Sequence, residues 1–290
     1  MNANIAWLEM RKTHPISLGL GFIFIITMVW IMVAVLPDGI DWSKTYRPAT
    51  LALLSIHNPY GLDVAREAPF AAAAWGLLPL IPLALLPVKV GRAVLLLVSL
   101  IFFAYSAKKL GANHVGITVF LLSPPVMHCL LNGNIEWIPI LGFVLPPQIG
   151  LFFITVKPQA GFAVAIYWLF QAWREGGLRL VVKTFLPVSI TLAISFVLFG
   201  FWPFQSIQVL PIAQNFNASV WPASIPVGLA LIVAAIRLKQ PKWAMGASPC
   251  LSPYVLFHTW SSALVALSGQ TLELAAAVVG LWLVVIMRLF

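Results

Sequence analysis

Apolar residues along this chain gather into long runs separated by short polar groups, and a window of about 19 residues resolves roughly ten of them. They fall near 17–36, 70–87, 94–107, 116–131, 135–156, 160–173, 181–201, 225–236, 243–267 and 272–289. An open sheet leaves backbone groups unsatisfied in lipid, so the pattern predicts an all-α fold: a polytopic transmembrane helical bundle forming one domain over 1–290. The first run lacks a small-residue cleavage site and is followed by many more, so it reads as a retained anchor behind a short amphipathic lead-in over 1–14. Two stretches leave the pattern, 37–69 and 202–222. Both read as extracytoplasmic loops, and Thr50, Leu51, Leu53 and Leu54 predict a juxtamembrane helix in the first.

Composition sharpens this picture. Of 290 residues, 61% are hydrophobic and 9% charged, against about 25% charged in a soluble domain, so no wetted surface can be built from them. The formal net charge is +9. Its sources sit in small groups between apolar runs: Arg11 and Lys12, Lys89 and Arg92, Arg174, Arg179 and Lys183, Arg237, Lys239 and Lys242, and Arg288. That is the distribution of cytoplasmic loop charge, not of a stripe for nucleic acid, and it puts both termini on the cytoplasmic side of a cell membrane. The partner it implies is the lipid bilayer.

Chemistry concentrates in two places. The first loop holds Asp38, Asp41, Asp63 and Glu67, four of the eight acids. Pro124, Pro125, Pro139, Pro146, Pro147 and Pro158 crowd a region that hydropathy treats as buried, so helices there must break, and broken backbone at membrane depth lines a cavity or lies against protein. Into this region fall His128, Asn132, Asn134, Glu136 and Lys157. Ionisable groups in spans point to function, while the plainer reading of Glu136 and Lys157 puts them in short loops at span ends. Cys129 and Cys250 read as buried small hydrophobes. The five histidines have no metal-ligand spacing, and neither a metal nor a cofactor motif is present in the sequence. Trp42, Tyr46, Tyr60, Trp202 and Trp221 read as belt residues at the membrane interface.

The order of several short patterns resembles the polyprenyl-phosphate-sugar-dependent glycosyltransferases of the C-type membrane fold, mannosyltransferases among them. Asp41, then Tyr46-Arg47-Pro48-Ala49, then Asn58-Pro59-Tyr60 is similar to that family's first loop. Pro69-Phe70 with Leu77-Leu78-Pro79-Leu80, Ser123-Pro124-Pro125 with Asn132-Gly133-Asn134, Lys157-Pro158, Asn215-Phe216-Asn217-Ala218-Ser219, and Ser248-Pro249 with Ser252-Pro253-Tyr254 leading to His258 follow in the family's order. The resemblance covers about 41–266. It implies transfer of a sugar, mannose or another hexose, from a polyprenyl phosphate to an acceptor hydroxyl on the extracytoplasmic face.

On that resemblance Asp41 is the catalytic base, with helix N-capping as its structural alternative. Lys157 is the first choice for the cation at the departing phosphate, with Arg47 or Arg66 in reserve. Tyr46, Asn58, Tyr60, Asn132, Asn134 and His258 are the remaining substrate-binding positions. No metal is required. A chain shorter than the family's usual length, sparse acids and a missing Gly-Gln support a second reading, a non-catalytic transmembrane subunit with other membrane subunits as partners. A transporter ranks third, because the two halves of the sequence show no internal similarity.

Overall fold

The computed structural model describes residues 15–60, 68–208 and 214–287. They are all-helical, with a single isolated antiparallel bridge between Asn217 and Leu256. Helix α1 is Pro15–Val35. A π-helical turn, Asp41–Tyr46, runs directly into α2, Arg47–Leu54. A 3-10 turn, Ala74–Leu80, continues into α3, Ile81–Ala84, and α4 follows as Val88–Lys109. Next come α5 (His114–Leu121), α6 (Pro124–Asn132), α7 (Trp137–Gly142) and α8 (Pro147–Ile154). The element α9, Pro158–Phe199, is the longest. It is followed by α10 (Trp202–Gln208), α11 (Ile225–Leu238), α12 (Pro241–Leu251), α13 (Ser261–Val265) and α14 (Thr271–Met287).

Ten spans are not supported. Among the described residues two helices, α4 and α9, are long and apolar enough to cross a membrane, or three candidate spans if α5 and α6, bent by 59°, count as one. The cause is proline. Hydropathy averages across Pro124, Pro147, Pro158 and Pro241, yet each sits in the first turn of a new helix, where its missing N–H costs nothing and its fixed φ suits the start. The expected run 135–156 is therefore a short hairpin, α7 against α8. Its arms touch so closely that a Cβ on Gly150 would meet the Gly142 carbonyl at 2.6 Å. Both of its ends return to one place, where the Lys157 ammonium donates to the Asn134 side-chain oxygen at 2.5 Å.

The element α9 is likewise two arms. Gly176 and Gly177 leave helical geometry, Gly177 with φ +58. The first arm starts beside the first loop, since the Ala73 amide donates to the Val156 carbonyl at 3.0 Å. The second ends there too, with the Phe199 ring 6.2 Å from that of Tyr60. The Gly176-Gly177 turn therefore lies at the far end of the molecule, about 30 Å away at 1.5 Å per residue. Arg174 at this turn donates to the Ile236 carbonyl at 3.2 Å, which brings the α11–α12 connection to the same end.

The basic groups divide accordingly. Arg174, Arg179, Lys183, Arg237, Lys239 and Lys242 share the far end, whereas Lys89 and Arg92 do not join them. Arg92 lies against Gly39 and Gly133, so this group sits beside the first loop rather than on the opposite face, because 70–87 is a short irregular stretch and not a crossing. The interface belt is corrected as well: Trp42, Tyr46, Tyr60 and Trp202 are buried, and of the five only Trp221 is exposed. Asp63, Arg66 and Glu67, the lead-in 1–14 and Arg288 lie outside the described residues, as do both termini.

Candidate functional site

The floor of the site is built from two glycines and an arginine. Gly39 (φ +70) and Gly133 (φ +72) hold left-handed conformations that an L side chain resists, and a Cβ at Gly133 would stand 2.6 Å from that of Trp42. The close approach seats the Asp41 turn on the end of α6. Helix α6 ends with carbonyls that have no partner within the helix. The guanidinium of Arg92, reaching from α4, donates to the Leu130 carbonyl and, at 2.8 Å, to that of Leu131. The Trp42 indole N–H, donating to the Val88 carbonyl at 3.0 Å, ties the same turn to α4.

Above this floor is a cavity of about 340 Å³. Asp41 and Tyr46 line it from the first loop, Asn132 and Asn134 from the end of α6, Lys157 from the start of α9, and His258 from the stretch after α12, joined by His128, Gln159 and Tyr254. Of the ten positions singled out from the sequence, Arg66 lies outside the described residues, and six of the other nine thus meet around one space. The other three do not reach it. Arg47 makes a long contact of 3.5 Å to the Leu86 carbonyl. The Asn58 side chain accepts the Tyr60 amide at 3.0 Å and so shapes its own turn. The Tyr60 ring stacks on Trp202 at 5.5 Å, and its hydroxyl donates to the Ala72 carbonyl. Asn58-Pro59-Tyr60 is a packing device beneath the loop.

Asn134 organises the polar groups. Its amide nitrogen donates to an Asp41 carboxylate oxygen at 2.7 Å, and its oxygen accepts from Lys157 at 2.5 Å, from the Ile135 amide at 2.7 Å and, at 3.4 Å, from the Tyr46 hydroxyl. A carboxylate only accepts and an ammonium only donates, which fixes the orientation of the amide. Asp41 caps no helix: the cap position of its turn is Ile40, with no side-chain cap bond. Removal from water pushes the Asp41 carboxyl above the usual carboxylate range, while the Asn134 hydrogen bond and then the Lys157 charge act the other way.

Lys157 is itself matched. Its ammonium pairs with Glu136 at 2.9 Å, Glu136 being fully buried and Lys157 4% exposed. The same Glu136 oxygen accepts the Thr259 hydroxyl at 2.9 Å. The third direction of the ammonium faces His258 Nε2 at 3.5 Å. Nε2 also lies 3.6 Å from the Glu136 oxygen, and Nδ1 is a buried atom with no hydrogen-bond partner among the described residues. His128 stacks on His258 with ring centres 5.7 Å apart, and Asn132 donates to the His128 carbonyl at 3.0 Å.

The late Ser-Pro segment is held by the second loop. Asn217 donates to the Pro253 carbonyl at 3.1 Å and accepts the Val255 amide at 3.2 Å, and the Ser219 hydroxyl donates to the Ser252 carbonyl at 2.6 Å. Sequence reasoning named Glu136 among the ionisable groups of the broken stretch and Tyr254 in the Ser-Pro segment without giving either a site role, and it left out Thr259 and Gln159. Only Glu136 carried a signal, since a cation buried at Lys157 requires an anion near it. Cys129 and Cys250 are both buried thiols. Among the described residues no three His, Cys, Asp or Glu side chains cluster as metal ligands would. Against protein-family models, curated proteins and solved structures alike, this chain finds no match.

Proposed function

We propose that this chain is a membrane glycosyltransferase that moves a sugar from a polyprenyl phosphate to an acceptor hydroxyl. The observation that carries the reading is the convergence of Asp41 and Lys157 on one cavity, linked through a single amide, from positions 116 residues apart in sequence. A hydroxyl seated at Asp41 gives its proton to the carboxylate as its oxygen bonds to the sugar's anomeric carbon. The bond from that carbon to the phosphate oxygen breaks, and the phosphate leaves with the electron pair. Lys157 is placed for the developing charge. Its third donor direction, now facing His258, is the one a phosphate oxygen takes.

The membrane orientation that suits this reading puts the first loop on the extracytoplasmic side of a cell membrane. Among the described residues, eight basic ones lie at the far end of the molecule, on or beside α4, α9, α11 and α12, namely Lys108, Lys109, Arg174, Arg179, Lys183, Arg237, Lys239 and Lys242, against Lys44, Arg47, Lys89, Arg92 and Lys157 on the loop side. The excess marks the far end as cytoplasmic.

The test is sugar transfer by the protein reconstituted in vesicles with polyprenyl-phosphate-linked hexoses. Asp41→Asn keeps the side chain's size and removes its basic lone pair, so transfer should slow by about 10²–10⁴ while the protein still folds and inserts. A near wild-type rate in Asp41→Asn rejects the base. No transfer by the wild type with any donor rejects the enzyme and leaves a non-catalytic membrane subunit.

A further inference from the structure

A second cavity, of about 250 Å³, opens at the far end of the molecule between the first arm of α9 and the end of α11. Tyr167 lies three and four residues before Phe170 and Gln171, and these lie four and three before Arg174, so the four form one face of the arm, while Ile236 is in the last turn of α11 and Lys239, in left-handed backbone at φ +54, stands just past its end. The lining therefore has a direction. Tyr167 and Ile236 form its apolar depth, with the half-exposed Phe170 beside them, and Arg174 and Lys239 stand at its mouth, at the helix ends.

Charge at the mouth is one-sided. Glu175 is the sole acid in the lining, and its carboxylate is taken by the Gln171 amide at 2.9 Å. Arg179 and Lys183, on the first turns of the returning arm, and Arg237 and Lys242, flanking Lys239, add four more cations to this end. The Lys242 ammonium sits 5.1 Å from the Trp243 ring centre. Exposed Phe170 and Trp173 continue the apolar surface outward from the cavity.

We infer that this cavity is a binding site for the phosphate headgroup of an anionic diacyl phospholipid. The phosphate lies between Arg174 and Lys239, and the first part of an acyl chain runs along Phe170 and Ile236. A fixed guanidinium beside a flexible ammonium suits a phosphate diester: Arg174 is already oriented by its bond to the Ile236 carbonyl, and Lys239 closes from the opposite helix. The apolar depth selects a lipid over a free anion, because phosphate alone gains nothing from Phe170. Its mouth at Arg174 is about 24 Å along the arm from Pro158 at the Asp41 cavity, and the site does not depend on the chemistry proposed there.

The purified full chain in neutral detergent is titrated with phosphatidylglycerol, phosphatidylcholine and inorganic phosphate. The concentration dependence of the thermal midpoint gives the affinity, and native mass spectrometry counts retained lipid. Phosphatidylglycerol should stabilise the protein at concentrations where the other two do not. Lys239→Gln, which leaves the Arg174 hydrogen bond intact, should weaken it about fivefold, and Arg174→Gln/Lys239→Gln about twenty-five-fold, from roughly a factor of five per basic side chain. Equal stabilisation by inorganic phosphate would make this a soluble-anion site and overturn the lipid. Equal stabilisation by phosphatidylcholine would remove charge as the selector. An equal loss in the control Arg179→Gln/Lys183→Gln, outside the cavity, would reduce the effect to diffuse attraction and overturn the site.

Discussion

The amide nitrogen of Asn134 lies 2.7 Å from a carboxylate oxygen of Asp41, and this bond ties the first loop to the broken helical region 93 residues later. It also sets the acidity of the proposed base, being the largest influence that opposes the burial-driven rise of the Asp41 carboxyl. Asn134→Leu removes the donor and leaves the desolvation. The carboxyl then rises further, so the ionised form needed for proton transfer is lost at a higher pH as the solution is acidified. The acid limb of the pH–rate profile for sugar transfer should move upward in Asn134→Leu relative to the wild type. A limb that stays in place would detach Asp41 from the observed titration.

Lys157 and Glu136 make a buried ion pair, and what such a pair contributes is asymmetric. Removing one partner strands the other charge away from water and costs about 3–5 kcal/mol, while replacing both can be nearly neutral. Lys157→Met and Glu136→Gln should each lower the thermal midpoint sharply, and Lys157→Met/Glu136→Gln should recover most of the loss. Additive losses in the double variant would show that the two side chains do not act as a pair. Sugar transfer should remain impaired in Lys157→Met and in the double variant, because stability can be restored without returning an ammonium to the cavity.

The helical class and the gathering of polar groups around the proline-broken stretch were legible in the sequence, because both follow from local chemistry: apolar runs that must be helical in lipid and prolines that must interrupt them. The number of crossings was not. A hydropathy window treats 135–156 as one run, and only the contact of Gly142 with Gly150 reveals a hairpin that turns back. For the same reason Lys89 and Arg92 read as belonging to the opposite face. Glu136 illustrates a different limit. Its pairing with Lys157 spans 21 residues and depends on that hairpin closing. The aromatic residues of the first loop failed as belt residues because Trp42 and Tyr60 fill space beneath the loop, a use that composition does not distinguish.

Three glycines with similar positive φ separate conformational cost from packing. Gly177 has nothing within 4 Å of where a Cβ would stand, whereas Gly133 would meet Trp42 at 2.6 Å and Gly39 would meet Arg92 at 2.6 Å. Gly177, with φ +58 and ψ −153, holds a conformation essentially closed to a side chain, so Gly177→Ala should cost stability through the backbone alone, about 1–3 kcal/mol, and leave transfer unchanged. Gly133→Ala and Gly39→Ala add a steric clash to the left-handed backbone cost, so by thermal or chemical denaturation they should also lose stability, and they should displace the Asp41 turn and depress transfer. Unchanged transfer in Gly133→Ala and Gly39→Ala would show that the loop does not rest on α6 as described.

The last prediction concerns which groups share a face, and it separates the structure from a count of apolar runs. Ten crossings put Lys89 on the opposite side of the membrane from the first loop. The structure puts it beside that loop, because Arg92, three residues on, touches Gly39, and because the Trp42 indole bonds the Val88 carbonyl. Ser55, Lys89 and Arg179 are all exposed, the first two at the loop end and the third at the far end. Cys129 and Cys250 are buried, so single cysteines at the three exposed positions supply the accessible thiols. In sealed vesicles of known orientation, a membrane-impermeant maleimide should label Ser55→Cys and Lys89→Cys from one side and Arg179→Cys from the other. The side shared by the first two should be extracytoplasmic, given the basic excess at the far end. Labelling of Lys89→Cys together with Arg179→Cys would restore 70–87 as a true crossing and break the floor on which Asp41 is placed. Labelling of all three as described, but with the loop end cytoplasmic, would keep the fold and reverse the face on which the proposed acceptor must lie.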